Sequence, residues 1–594
     1  MKFDWFVLPF TTGLLTLIFF LSWKYYKWIK QLDASQRKNF WKIIFSYKIF
    51  KLVKEIFLEV LVHRRIYKIN PLLGYMHSSF ALGWFLLIVF GAIETYLFAT
   101  KPINHLYEPI FFKYFNLQQP STHTHILFAF IMDLLLLYIL SGISLAIIKR
   151  FYSALFGLKK TTKLFWTDKV ALYSLWLIFP LRLLAESSTT AIYQNGSFLT
   201  NNTGILLQEY FSIAKISYTL WWAYSIDLMI FFIFLPFSRY MHIPTEMILI
   251  ALRHCGFKTE KSFDNFSKIE IYSCSSCGIC IDTCQMQTVT ERNNMIPAYL
   301  FQKERHGKVL KIALYDCLIC GRCENTCPVQ INILNIKLAR RKERIDKRAQ
   351  QFHYLNNITL NNTNNSSVAY YAGCISHLTP SITRSIISIF EKFSTSYTFI
   401  DENGTICCGR PLILAGKYKD AQKLIAKNTE IIEKANVSTL ITSCPICYKV
   451  FKTEYKLKIP VLHHSEWLYL QIIQNNWNLQ KQNLNAVYHD PCELGRGSHI
   501  YNEPRNLLKL FLNLKDKQNY EKENSLCCGG SLGNFYLKEN DRVKIAEHTY
   551  KSIMTKNDDC LITSCPLCKK TFQKISDKPV YDIAEVVLKS LKLN

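Results

Sequence analysis

Twenty cysteines carry most of the chemistry open to this 594-residue chain, and eighteen of them fall in groups tight enough to act as ligand sets. Cys274, Cys277, Cys280 and Cys284 form C-x2-C-x2-C-x3-C. The spacing returns at Cys317, Cys320, Cys323 and Cys327, there followed by Pro328. Runs of this type wrap a [4Fe–4S] cube, because soft thiolates suit iron and short turns let backbone amides face the cluster. Two runs this close indicate a two-cluster ferredoxin-like fold, in which the fourth cysteine of each run serves the other cube. One cube is therefore expected on Cys274, Cys277, Cys280 and Cys327, the other on Cys317, Cys320, Cys323 and Cys284. The first run departs from the usual pattern at Gln285, where proline is expected. Proline there shapes the turn and ligates nothing, so the ligand set is intact. Zinc is the competing reading, but zinc sites pair two C-x2-C units rather than running four cysteines together.

The remaining cysteines reveal an internal repeat. LITSCPIC spans Leu440–Cys447 and LITSCPLC spans Leu561–Cys568. Upstream lie Cys407-Cys408-Gly409 and Cys527-Cys528-Gly529, and further upstream Cys374 (in YYAGC) and Cys492 (in YHDPC). Each repeat reads Cys, a gap of 32 or 34, Cys-Cys-Gly, a gap of 35 or 36, then Cys-Pro-x-Cys. The cysteine groups follow apolar or β-rich runs such as 439–442 and 486–488, with helical patterns such as 420–435 between them. That arrangement predicts α/β repeats with cysteines at strand ends, where loops converge on a site. Gly409, Gly529 and Gly530 would permit close approach of the backbone to a cluster. Cys255 and Cys560 are left over and are expected to be buried structural thiols.

The elements that must position these groups divide the chain. Its length favours three or four domains. Apolar residues concentrate before about residue 245, so a membrane half precedes a soluble half. Five stretches are long and apolar enough to span a bilayer: 5–23, 72–98, 124–148, 169–185 and 217–240. The fourth is the weakest, because Arg182 and Glu186 sit at its far end. The first has no basic leader and no small-residue cleavage site, so it reads as an uncleaved anchor. Lysines and arginines crowd the loop at 24–68 (Lys24, Lys27, Lys30, Arg37, Lys38, Arg64 and Arg65 among them) and the loop at 149–163. The loops at 101–119 and 187–212 carry few. The positive-inside rule then puts the N-terminus outside and everything after Tyr240 on the cytoplasmic side of the inner (plasma) membrane. The expected domains are a five-span membrane domain at 1–245, a two-[4Fe–4S] ferredoxin domain at 260–348, a linker at 349–367, and cysteine-rich domains at 368–475 and 484–594. The Asn/Thr/Ser-rich tract within that linker has sequon-like triplets, which have no meaning on the cytoplasmic side. The formal charge of +27 invites a nucleic-acid reading, but the lysines are scattered rather than striped and no nucleic-acid partner is expected.

Polar groups at membrane depth are functional candidates. His77 begins the second span and His242 ends the fifth, which puts both at the cytoplasmic interface. Two imidazoles at one depth on antiparallel helices can be the axial ligands of one b-type haem; the bland alternative is a pair of interfacial anchors. His63 lies fourteen residues before His77, about 20 Å away if the helix is continuous, and is not expected to share a haem plane with it. His123 and His125 fall at the outer face with no evident partner. Glu94, Asp133 and Asp227 read equally as proton-handling groups or as paired polar residues.

With these residues in view, the segment from Val368 to Asn594 resembles the cysteine-rich CCG domains of heterodisulfide reductase. Related repeats occur in iron–sulfur subunits of anaerobic glycerol-3-phosphate dehydrogenase and of lactate and glycolate oxidases. In heterodisulfide reductase each such repeat holds a noncubane [4Fe–4S] cluster on five cysteines, and the pair cleaves a disulfide. The resemblance implies one set of Cys374, Cys407, Cys408, Cys444 and Cys447, and another of Cys492, Cys527, Cys528, Cys565 and Cys568, both complete. Some relatives bind an ordinary cluster or zinc instead. The ferredoxin–CCG order is similar to the catalytic subunit of the membrane-bound heterodisulfide reductase. The five-span part resembles its cytochrome b partner and the gamma subunit of respiratory nitrate reductase. That pattern uses two histidines on each of two helices, and only His77 and His242 match it here, so one haem is expected.

Together these readings give a multidomain protein: a five-helix transmembrane bundle, a two-cluster ferredoxin-like domain and two α/β CCG repeats. Its cofactors would form a chain of quinone, haem b, two cubes and one or two further clusters. The expected function is a membrane-bound oxidoreductase passing electrons between the quinone pool and a cytoplasmic substrate, with a disulfide the best guess. An open iron on a noncubane cluster could bind a substrate sulfur while two one-electron steps cleave the S–S bond. The alternative is a relay subunit for a separate flavoprotein dehydrogenase, since no G-x-G-x-x-G follows a strand here. A sensor or scaffold without turnover is disfavoured because both CCG ligand sets are complete.

Overall fold

The computed structural model describes residues 3–30, 46–98, 107–157, 162–257, 263–308, 312–344, 366–404, 406–517, 519–532 and 537–591. The expected linker lies outside the described residues up to position 365, as do Arg37 and Lys38 of the basic loop. The chain forms two compact units. The first comprises Met1–Thr259, Asp264–Gly278 and Phe301–His306; the second comprises Glu260–Phe263, Ile279–Leu300 and Gly307–Asn594.

Five long apolar helices dominate the first unit: α1 (Val7–Lys30), α2 (Pro71–Phe98), α3 (His123–Phe151), α4 (Trp166–Tyr193) and α5 (Ile213–Phe234). All five are long and apolar enough to cross a membrane, as a multi-pass membrane protein requires. Phe6, Phe10, Leu136, Ile139, Trp221 and Leu228 pack inward, whereas Leu15, Phe19, Phe130, Leu134 and Leu177 face outward and exposed. In water that surface would drive aggregation; against lipid tails it costs nothing. Small residues let the helices approach closely. A Cβ on Gly13 would stand 2.7 Å from Cα of Met229, across the α1–α5 contact.

Several charged residues of this bundle are paired inside it, whereas Asp227 keeps a buried carboxylate oxygen without a hydrogen-bond partner. Helix α4 runs past the expected end at 185 to Tyr193, because Arg182 and Glu186 neutralise each other one turn apart, Nε to Oε1 at 2.9 Å, both buried. Asp133 accepts from the main-chain N–H of Leu199 and Thr200 at 2.8 and 2.9 Å, at the start of the helix Phe198–Tyr210, where peptide N–H groups lack helical partners. The Lys113 ammonium stands 3.5 Å from the fully buried Glu94. After α5, two 3-10 turns lead to α6 (His242–His254). His242 therefore opens a new helix instead of closing the fifth span.

A further sequence expectation fails in this unit. The chain between His63 and His77 is not a continuous helix. A π-helical turn at Phe57–Leu61 is followed by His63 in the left-handed region (φ 57°), a short helix Arg64–Ile69, and extended Asn70 before α2. The chain doubles back, and the His63 and His77 rings lie 5.5 Å apart.

The second unit holds two four-stranded sheets of one topology. Strands β1 (Val368–Tyr371), β2 (Tyr397–Phe399), β3 (Thr439–Thr442) and β4 (Val461–His463) lie in the order β2-β1-β3-β4. Strands β5 (Asn485–His489), β6 (Asn513–Lys515), β7 (Cys560–Thr563) and β8 (Val580–Asp582) lie in the order β6-β5-β7-β8. Every pairing is parallel, as helical crossovers such as Pro380–Lys392 and Glu539–Ile553 require. Tyr370, Phe390 and Trp467 of the first repeat and Tyr488, Ile562 and Val587 of the second share one hydrophobic core. His464 Nε2 donates to Asp582 Oδ1 at 2.9 Å across that core, both side chains fully buried, while the same Oδ1 caps the last helix through Ala584 N. Replacing Asp582 with alanine strands His464 and uncaps the helix, so D582A is expected to cost ~3 kcal/mol, read as a shifted denaturation midpoint by tryptophan fluorescence.

Candidate metal centres

In a parallel sheet of order 2-1-3-4 the connections leave in opposite directions from the two central strands, and ligands bind at the carboxyl ends of those strands. The cysteines follow this rule. Cys374 comes three residues after β1, and Cys444 two residues after β3, at the start of the helix Pro445–Thr453. Cys492 and Cys565 repeat the placement after β5 and β7. Ala372 N and Gly373 N both donate to the Asp401 carboxylate at 2.7 Å, which fixes the first loop. Gly373 has φ 88°, and a Cβ there would lie 3.0 Å from Cys447 Sγ, so only glycine fits against the thiols.

The five thiols of the first repeat form a connected string. Cys407 interacts with Cys374 and Cys408, Cys408 with Cys447, and Cys447 with Cys444. The neighbouring Cys374 and then Cys408 thiols hold Cys407 down, while Cys407 pushes Cys374 up. Asn428 Nδ2 donates to Cys407 O at 2.8 Å and Tyr455 OH to Cys408 O at 3.1 Å, which clamps the Cys-Cys loop. The second repeat has the matching string: Cys492 with Cys527, Cys527 with Cys528, Cys528 with Cys568 (3.3 Å between sulfurs), and Cys568 with Cys565. A Cβ on Gly530 would lie 3.0 Å from Leu567 and 3.4 Å from Cys528 Sγ. Both resemblance-implied sets are thus brought together, and all twenty cysteines are free of disulfides.

A cleft joins the repeats, with Pro445 and Ile446 of the first facing Cys492, Cys528 and Leu567 of the second. On its wall Glu493 pairs with Arg410 (3.1 Å) and Lys449 (3.0 Å), both from the first repeat. Burial opposes its ionisation, but Arg410 and Lys449 outweigh that and bring it to about 2. The sequence marks this bridge only by difference: Arg410 stands where the second repeat has Gly530, and Glu493 where the first has Ile375.

In the ferredoxin segment, Cys284 lies within electrostatic reach of Cys317 and Cys320, and Cys323 within reach of all three. This is the exchanged set expected for the second cube. The buried Lys337 donates from Nζ to Cys317 Sγ at 3.2 Å, a cation that sequence reasoning did not single out. Of the other expected set, Cys274 and Cys277 belong to the first unit and Cys280 and Cys327 to the second. In the first unit Arg305 donates to the carbonyls of Ile271 and Cys274. Burial raises the Cys274 thiol and Arg305 opposes that rise. Cys560 is buried in β7, whereas Cys255 is only half-buried at the end of α6.

The histidines converge in the first unit. Nδ1 of His77 is bonded to Leu73 O at 2.8 Å, Nδ1 of His242 to Arg239 O at 2.7 Å, and Nδ1 of His63 to Leu61 O at 3.2 Å. His242 lies within electrostatic reach of both His63 and His77. Burial holds His242 at about 3, so it is neutral with Nε2 as its bare nitrogen. Imidazoles anchored through Nδ1 with Nε2 open are what an axial ligand requires, and His63 joins the pair that the sequence suggested. His125 is buried and stacks on Phe98 at 4.2 Å, while His123 is exposed.

Residues 270–331 match the family described as 4Fe-4S dicluster domain, and residues 368–452 and 486–573 match that described as Cysteine-rich domain. Together these matches define a ferredoxin-like 4Fe–4S domain followed by two cysteine-rich repeats. The chain is 25% identical over 341 residues to an uncharacterized iron-sulfur protein of Methanococcus maripaludis, covering 56% of this chain and 64% of that one. It is 26% identical over 243 residues to the EtfAB:quinone oxidoreductase of Syntrophomonas wolfei, covering 37% and 34%. It is 26% identical over 247 residues to one of the subunits of the dihydromethanophenazine:CoB–CoM heterodisulfide reductase of Methanosarcina barkeri, covering 39% and 60%. It thus spans between a third and two thirds of the length of these relatives.

Two substitutions test the centres. Gly373→Ala is expected to remove the iron and acid-labile sulfide of the first repeat and leave those of the ferredoxin segment, read by metal analysis and electron paramagnetic resonance. Lys337→Met removes a cation that favours the more negative, reduced cluster. It is expected to move one cube's midpoint to lower potential by tens of millivolts in a redox titration.

Proposed function

We propose that the chain is a membrane-bound oxidoreductase that exchanges electrons between the quinone pool and a cytoplasmic disulfide. The observation that supports this most is the cleft between the repeats, on which Cys492, Cys528, Cys565 and Cys568 converge with Pro445 and Ile446. In this reading Cys274, Cys277, Cys280 and Cys327 hold one cube, and Cys317, Cys320, Cys323 and Cys284 the other. The two five-cysteine sets hold the clusters of the CCG repeats, and His77 with His242 holds a b-type haem in a bundle like that of nitrate reductase gamma. When bound, these groups supply one-electron chemistry that no side chain offers. The chain's own residues do the rest: the histidines present open Nε2 atoms, Glu493 with its two cations fixes the cleft wall, and the apolar lining excludes water. The basic loops argue for an outer N-terminus and cytoplasmic iron–sulfur domains.

A second reading has one specific support, the relative whose name pairs EtfAB with quinone. There the CCG repeats relay electrons to or from a separate flavoprotein partner. Reoxidation of the reduced, purified protein by added disulfides favours the first reading, and its failure with rapid exchange to a flavoprotein favours the second. In detergent-solubilised protein, a quinol analogue is expected to reduce haem b and then the clusters. His242→Ala and His77→Ala should each abolish the haem absorbance while the cluster resonances persist; unchanged spectra would remove these histidines as ligands.

A further inference from the structure

The two Cys-Cys loops have one fold but are held differently. In the first repeat the loop is clamped from within, by Asn428 on the carbonyl of Cys407. In the second repeat the shorter Thr549 takes that place, its Oγ1 donating to Cys527 O at 2.7 Å. The clamp is completed from the ferredoxin segment. Gln285 Oε1 accepts from Cys527 N at 2.7 Å, and its Nε2 donates to Thr549 Oγ1 at 2.9 Å and to Cys527 O at 3.3 Å. Gln285 is buried. It occupies the position where the cysteine run normally continues with proline, as the second run does at Pro328. Proline has neither an amide side chain nor a donor, so the departure from the pattern has a physical use.

The same contact brings two ligand sets together. The Cys320 side chain, with that of Cys284, packs against the small apolar cluster that contains Cys527. Arg496 ties the two segments from the other side, its Nε donating to Cys320 O at 2.7 Å and its Nη1 to Ser525 O at 2.8 Å. Met286, Leu318, Leu537 and Ile545 close an apolar shell around Cys527.

We infer that the second CCG repeat is the electron entry point of the pair, and that Gln285 is the positioning residue that holds Cys527 against Cys320. The inference rests on the cluster assignments proposed above. The step it describes is one electron from the Cys284/317/320/323 set to the second-repeat set. The first is oxidised as the second is reduced, and no bond or proton changes hands.

The test uses full-length, detergent-solubilised protein reconstituted anaerobically and reduced with dithionite. In the unsubstituted protein, electron paramagnetic resonance should show magnetic interaction between one cube and one CCG centre. Gln285→Leu should keep its iron and sulfide, weaken that interaction, and slow arrival of electrons at the CCG centres by about tenfold or more. Asn428→Leu, which disturbs the first repeat's loop, should leave the interaction in place. Should Gln285→Leu lose iron, Arg496→Gln probes the same junction from its other side. An interaction unchanged in Gln285→Leu, or in Arg496→Gln where that variant is needed, overturns the inference alone. A protein with no cluster resonances before any substitution overturns the cluster assignment beneath it.

Discussion

Thiolate repels thiolate, and each CCG centre packs five sulfurs into one string, most of it buried. The bare polypeptide answers by sharing protons: Cys374 is pushed up while Cys407 is held down, and Cys527 is pushed up while Cys528 is held down. Iron bound to such a set replaces those protons, so loading, deprotonation and ordering of the loops are one linked event. Other features support that convergence. The strand ends aim the loops, Gly373 and Gly530 leave room for sulfur, and Lys337 supplies positive charge beside the cube.

The repeats share a topology and differ where they meet other parts of the second unit. Arg410 and Lys449 of the first repeat reach Glu493 of the second. Thr549 replaces Asn428 and leaves a polar position for Gln285. A duplicated fold thereby acquires two unequal ends, one closed on itself and one open to the ferredoxin segment.

Much of this was legible in the sequence because metal ligation imposes local spacing. The cysteine runs, the repeat and the strand-end placement of the cysteines all follow from it, and the five apolar helices from length and composition. What escaped depended on distant partners or on a single backbone angle. Gln285 meets Cys527 across 242 positions, and the sequence showed only a missing proline. His63 was set aside because a continuous helix was assumed, and one left-handed residue undoes that distance. The fourth span was cut short at Arg182 and Glu186 because each charge was counted alone, whereas the pair is neutral and buried.

The hydrophobic core common to both sheets bears on how the protein is made. Phe390 and Trp467 pack against side chains encoded as much as two hundred residues later, up to Val587. During synthesis the first repeat leaves the ribosome with that face uncovered until nearly the last helix has followed it. The first repeat therefore lacks part of the packing on that face until the second repeat has been made. The sequence order of the chain therefore sets when the core shared by the two sheets can close.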